Sequence, residues 1–157
     1  MTRCPRRGFL VKSATLGNNS GLVVETSSGI FAANERISVD CIGVRNLGNS
    51  VMSSFAAEPD CEITHICDVR KSVRRQQGVE MMQKTGRMPK LVNDYRELLN
   101  DNSIDVFMLA TPDHWHALLT IEFSLNDKDV DVENPASHNI REGKTLVAAV
   151  RRHDCML

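Results

Sequence analysis

The sequence predicts an α/β domain: a doubly wound parallel sheet with helices on both faces. Three observations lead there. Short Val/Ile-rich runs alternate with helical stretches from Ile37 onward. The connections between them are only a few residues long. The run "SIDVFMLATP" is apolar without alternation, as a strand buried on both faces requires. Strand and helix alternating in this way force parallel pairing with right-handed crossovers. A chain of 157 residues is one domain's worth and long enough to bury a core.

The elements follow in order. "ISVDCIGV" is strand-like, and "NSVMSSFAAEP" after Gly48 is a short helix closed by Pro59. "CEITHICDV" is the second strand, rich in Ile, Thr and Val. A polar helix through "KSVRRQQGVEMMQKTG" is stopped by Gly86 and Pro89, with Met81 and Met82 as packing residues. "PKLVNDY" allows a short strand, and Asp94 with Glu97 makes a capping box for "YRELLND". "SIDVFMLATP" is then a central strand. Pro112 and Asp113 open a helix whose Leu118, Leu119, Ile121, Phe123 and Leu125 are expected to cover the sheet. "DKDVDVEN" is a shorter strand. Asn139 and Glu142 cap a last helix that presents Ile140, Gly143, Val147 and Val150 on one face, with Arg151 and Arg152 at the negative end of its dipole. The chain stops after that helix, so the sheet is expected to be truncated before its last strands.

The first 33 residues differ in character. "CPRRGFLVKSATLG" places Arg6 and Arg7 before an apolar stretch, which resembles a twin-arginine export signal. Asn18, Asn19 and Ser20 interrupt that stretch, and a disordered basic tail is the alternative. The expected division is a leader over 1–33 and a folded domain over 34–157. Localisation is then periplasmic or exported if the leader works, and cytoplasmic otherwise. No run reaches the ~18 apolar residues of a membrane span.

Composition excludes some partners. A formal net charge of -1 gives no basic surplus for nucleic acid or an anionic membrane. The five cysteines are odd in number and lack C-x-x-C spacing, so buried thiols are expected rather than zinc or disulfides. His114 and His116, two apart on a helix, do not share a face and do not suggest a metal pair.

The turn "GVRNLG" after the first strand carries the chemistry. Gly43 and Gly48 fill the outer positions of a G-x-G-x-x-G fingerprint, with Arg45 in the middle one. Beyond the carboxyl ends of a doubly wound sheet, such a turn and the helix N-terminus after it accept a pyrophosphate. Asp68 ends the second strand about 20 residues on, where a carboxylate receives ribose hydroxyls. It favours NAD over NADP because it repels a 2′-phosphate, although Arg70 and Arg74 lie near. Arg45 has two readings: its Cβ obstructs the approach of the phosphates, or its guanidinium pairs with them.

"ERISVDCIGV", "CDV", "NDYRELLND", "IDVFMLATPDHWHA" and "KDVDVENPASHNIREGKTLVAAVRR" together resemble the nucleotide-binding domain of the Gfo/Idh/MocA oxidoreductases, from about Asn34 onward. The resemblance implies a Rossmann-type domain and hydride transfer between NAD(P) and a sugar or polyol. It implies cofactor contacts from Gly43, Val44, Arg45, Leu47, Gly48, Asp68, Val69, Thr111, Pro112, His116 and Glu133, with Thr111, Pro112 and His116 near the nicotinamide half. In the family a Glu-Lys-Pro motif supplies a lysine that assists proton transfer. Here the tripeptide is Glu133, Asn134 and Pro135. Asparagine can donate a hydrogen bond but cannot relay a proton. The family's larger substrate domain, through which relatives associate as homo-oligomers, is expected to be missing. Three functions follow: a cofactor domain of an oxidoreductase, a module that binds the dinucleotide without catalysis, or a degenerate family member.

Overall fold

The computed structural model describes residues 36–157. The expected leader lies outside the described residues. Five strands form one sheet: β1 (Ile37–Ile42), β2 (Cys61–Cys67), β3 (Lys90–Val92), β4 (Val106–Leu109) and β5 (Asp129–Val132). Their order is β3-β2-β1-β4-β5 and every pairing is parallel. The chain winds outward from β1 to β3, then returns to the other side of β1 with β4. The switch point therefore falls between β1 and β4, where a doubly wound sheet opens its ligand crevice.

Two apolar layers flank the sheet. On one side α1 (Leu47–Ala57) and α2 (Lys71–Thr85) bring Met52 and Met81 against Val39, Cys41, Ile66 and Met108. On the other, α3 (Asp113–Ser124) brings Leu119 and Phe123 against Ile42, Phe107, Leu109 and Val130. Phe107 and Phe123 stack with ring centroids 3.8 Å apart, and Tyr95 meets Phe123 edge-on. Such ring pairs add about 0.5–1.5 kcal/mol to their burial. α4 (Ile140–His153) lies against α3.

Several expectations change in detail. The buried face of α3 is His116, Ala117, Leu119, Thr120, Phe123 and Ser124, whereas Leu118 and Leu125 are exposed. The small residues Ala117, Thr120 and Ser124 sit inside because α3 packs on a helix as well as on a sheet. On α4 the fully buried position is Leu146; Ile140 and Val147 are exposed. Gly143 and Val150 of the expected stripe are half-buried. Met82 is exposed while Met81 is buried. Asp94 starts only a 3-10 turn over Tyr95–Glu97, and its carboxylate accepts from the Arg96 N–H rather than from that of Glu97. One turn is too short for the reciprocal bond of a capping box to form.

The other punctuation stands as read. Gly86 ends α2 at φ 75 with its N–H on the Met82 carbonyl. Asn139 caps α4 by accepting from the Glu142 N–H at 3.0 Å, and the Glu142 carboxylate takes the Asn139 amide at 2.7 Å and the His138 N–H at 3.0 Å. Among the described residues Cys41, Cys61 and Cys67 are free thiols. Past α4, the Met156 carbonyl accepts from Val130 and its N–H donates to Asp129, so the chain runs along the open edge of β5.

Candidate cofactor-binding site

The turn between β1 and α1 is built by two glycines with different duties. Gly43 has φ 80, and a Cβ there would sit 2.8 Å from the Ala110 carbonyl oxygen. It must be glycine both to bend and to let the β4 end approach. Gly48 has an ordinary backbone, yet a Cβ on it would overlap the Gly43 carbonyl oxygen outright and lie 3.1 Å from the Ala110 Cβ. This is the close packing of helix on strand that the third glycine of the fingerprint secures. The remaining positive φ in the turn is 40 at Asn46. Arg45 therefore carries no left-handed strain, and the steric objection to a side chain at that position does not apply.

Asp68 closes the ring around the turn. One carboxylate oxygen accepts from the Val44 N–H at 3.3 Å and the other from the Arg70 N–H at 2.8 Å. The carboxylate thus stands beside the glycine bend at the carboxyl end of β2. Behind it, Arg74 donates to the Asp68 carbonyl and to Asn93 Oδ1. That occupies the Arg74 guanidinium and leaves Arg70 as the exposed one at this end.

A cavity of about 710 Å³ opens at the switch point, within the ~300–1,000 Å³ of small-molecule sites. Among the expected residues, Gly43, Arg45, Asp68, Val69, Thr111 and Pro112 line it. Val44, Leu47, Gly48, His116 and Glu133 do not. Val44 is fully buried in the core and reaches the site only through its N–H. Leu47 is exposed, Gly48 is buried beneath the turn, and Glu133 continues the ladder with its N–H on the Leu109 carbonyl. His116 is 2% exposed, with Nδ1 2.8 Å from the Pro135 carbonyl and Nε2 2.6 Å from the Thr111 carbonyl. It ties the loop after β4 to the loop after β5 from behind.

Sequence reasoning missed the far wall. Asn93, Asp94, Tyr95 and Arg96 line the cavity from the loop after β3. The Arg96 guanidinium lies 4.6 Å over the Tyr95 ring and pairs with Asp94 at 3.1 Å. Trp115 lines the opposite end. Asn134 is exposed and joined to Pro135 by a cis peptide bond.

The cavity fits a dinucleotide. Gly43 lines it, and Gly48 beneath the turn lets α1 pack close on β1. The Thr111 hydroxyl, on the cavity wall, is buried with no hydrogen-bond partner among the described residues, a state that buried polar groups rarely keep unless something else supplies the bond. Residues 37–157 match the family model described as "Oxidoreductase family, NAD-binding Rossmann fold" under the name GFO_IDH_MocA.

The chain belongs to the Gfo/Idh/MocA oxidoreductase family. It is an NAD-binding Rossmann domain of that family. Its curated relatives include a glycosyl hydrolase family 109 protein of Saccharopolyspora erythraea, 31% identical over 82% of this chain and 30% of its own length. An alpha-N-acetylgalactosaminidase of Shewanella oneidensis is 31% identical over 89% of this chain and 33% of its own. The chain thus spans about a third of the length of these Gfo/Idh/MocA relatives. Solved structures of the same fold include a probable dehydrogenase from Thermotoga maritima, with TM-score 0.67 and 24% identity over 76% of this chain and 34% of that one. The WlbA dehydrogenase from Bordetella pertussis, in complex with NADH and UDP-GlcNAcA, gives TM-score 0.67 and 20% identity over 78% and 34%.

Proposed function

We propose that this chain is the cofactor-holding part of an enzyme that exchanges a hydride between NAD and a carbon of a sugar or polyol. The observation that carries the reading is the Asp68 carboxylate held beside the Gly43 turn by the Val44 N–H. In this reading Asp68 accepts the hydroxyls of the adenine ribose, and the first turn of α1 offers its unpartnered N–H groups to the pyrophosphate. Val69 covers one face of the adenine, and Thr111, Pro112 and Trp115 border the nicotinamide. Arg45, free of backbone strain, reaches the phosphates from the rim.

When bound, NAD supplies the hydride acceptor. The protein's own part is to hold it, orient it and exclude water from one face. Asp68 favours NAD over NADP by repulsion of a 2′-phosphate. The sugar class is supported by the relatives named as a galactosaminidase and as family 109 hydrolases, and by WlbA, whose bound ligand is a sugar nucleotide. The Arg6–Arg7 pair supports export.

Trp115 is the sole tryptophan and lines the cavity, so its fluorescence reports occupancy directly. Titration with NAD is expected to quench it saturably below millimolar cofactor. A flat response up to that concentration refutes the reading.

A further inference from the structure

Asp68 fixes where the base of a dinucleotide must lie. The adenine is bonded to the same ribose whose hydroxyls Asp68 accepts, so its ring falls beside that carboxylate. Two loops wall the cavity there. The loop after β2 brings Val69 and Arg70, and the loop after β3 brings Asn93, Asp94, Tyr95 and Arg96. The two are tied together. Arg74 donates to both the Asp68 carbonyl and Asn93 Oδ1, and the Asp68 N–H donates to the Val92 carbonyl at 3.4 Å.

Each loop carries a feature that the fold itself does not use. Val69 is apolar and lies on a cavity wall, yet it is 83% exposed. On the β3 loop the Arg96 guanidinium lies 4.6 Å over the Tyr95 ring. That ring is held from behind, because its hydroxyl donates to Glu122 Oε2 at 2.7 Å and its edge meets Phe123 in the core. Asp94 Oδ1 takes both the Arg96 N–H at 3.0 Å and the Arg96 guanidinium at 3.1 Å. A ring beneath and a carboxylate at the edge thus hold a long side chain in place, while more than half of it stays exposed on the cavity wall. A planar cation with one face on a ring offers its other face to a second π system. Guanidinium planes stack nucleic-acid bases in this way.

We infer that Arg96, stacked on Tyr95, binds one face of the adenine, with Val69 on the other. The inference rests on the NAD reading above. It makes the loop after β3 the element that recognises the base, where the Asp68 carboxylate recognises only the sugar. Asp94 offsets the charge of Arg96, so the contribution is by stacking rather than by attraction of the pyrophosphate. A lysine, a point charge without a plane, does not replace it.

The test uses the full chain and calorimetric titration with two ligands, NAD and ADP-ribose, the second of which lacks nicotinamide. Arg96→Ala is expected to weaken both about 10-fold, as the loss of one stack on a base does. Arg96→Lys keeps the charge and is expected to bind nearly as weakly as Arg96→Ala. A second measurement needs no variant. In NMR spectra of the NAD-saturated parent, the adenine H2 and H8 protons are expected to show Overhauser contacts with the Val69 methyls and the Arg96 side chain. Parent affinity in Arg96→Ala, full affinity in Arg96→Lys, or an adenine without contact to either side chain overturns the inference. A loss confined to NAD, with ADP-ribose bound as before, places Arg96 at the nicotinamide end and overturns it too. A parent that binds neither ligand up to millimolar concentration refutes the NAD reading instead.

Discussion

The carboxylate of Asp68 and the backbone N–H of Val44 meet at 3.3 Å across 24 residues of sequence. This contact joins the end of β2 to the glycine turn after β1. It makes one site of two motifs that a sequence can only place side by side. The Asp68 oxygens keep further lone pairs after taking the Val44 and Arg70 N–H groups, so ribose hydroxyls can be received without displacing either.

Asp68→Ala is therefore expected to weaken NAD binding about 10- to 100-fold, since hydrogen bonds to a charged group contribute ~1.5–3 kcal/mol. Asp68→Asn keeps one acceptor and is expected to lose less. Trp115 fluorescence titration measures both. Equal affinity for the parent and Asp68→Ala would show that the ribose binds elsewhere. Arg45→Gly is expected to give no gain in affinity, because the turn does not ask for positive φ at that residue.

Gly48 and Gly86 separate steric from conformational need. Gly48→Ala has no room, because its Cβ would overlap the Gly43 carbonyl. It is expected to cost about 3 kcal/mol or more and to loosen the nucleotide turn. Gly86→Ala meets nothing within 4 Å and suffers only from φ 75, a penalty of ~1–2 kcal/mol. Urea unfolding of the two variants gives the order. A Gly48→Ala protein as stable as Gly86→Ala would contradict the close packing of α1 on β1.

The sheet, its parallel pairing and the glycine turn were legible because each rests on local pattern: apolar runs, punctuating Gly and Pro, and caps such as Asn139. The faces of α3 and α4 were not. Leu118 and Ile140 are apolar by type, but the side a helix buries is set by what packs on it. α3 buries Thr120 and Ser124 because α4 lies alongside. The cavity wall at Asn93–Arg96 was equally hidden, since only the strand order sets the loop after β3 beside Asp68. The resemblance implies a cofactor contact at His116; the structure buries that side chain between the Thr111 and Pro135 carbonyls, a packing that the motif alone does not show.

Asp40 is a carboxylate in the middle of β1 with no exposed surface. A register irregularity after Val39 leaves Thr64 as the extra residue opposite, so Thr64 Oγ1 at 2.5 Å and His65 Nδ1 at 2.9 Å both reach Asp40 Oδ1. Its Oδ2 has no partner among the described residues. Removing one member of such a buried pair strands the other, so His65→Ala is expected to destabilise the domain by about 3 kcal/mol. The double variant Asp40→Val/His65→Leu is expected to recover much of that loss, because an apolar pair needs no partner. Chemical denaturation of the single and double variants decides; a double variant less stable than His65→Ala would contradict the account.

High pH is expected to unfold the domain through its buried acids, Tyr95 and Cys67 among them. Burial, followed by the hydrogen bond from its hydroxyl to Glu122, raises Tyr95 to about 12. Burial and the nearby Asp68 raise the Cys67 thiol to about 12. Both folded values exceed those of the unfolded chain, ~10 for tyrosine and ~8.5 for cysteine. Below those unfolded values the stability they contribute is fully present; as pH rises toward 12 the unfolded chain releases its protons first and the stability is lost. Tyr95 is the only tyrosine, so its ionisation can be followed by ultraviolet absorbance alongside the loss of helix by circular dichroism. The two transitions are expected to coincide above pH 10. Cys67→Ala is expected to reduce the loss that begins near pH 9, a loss it shares with the Cys41 thiol, which burial also raises, at some cost in packing. A tyrosine that titrates near 10 while the helices remain intact would show that its hydroxyl is not held by Glu122.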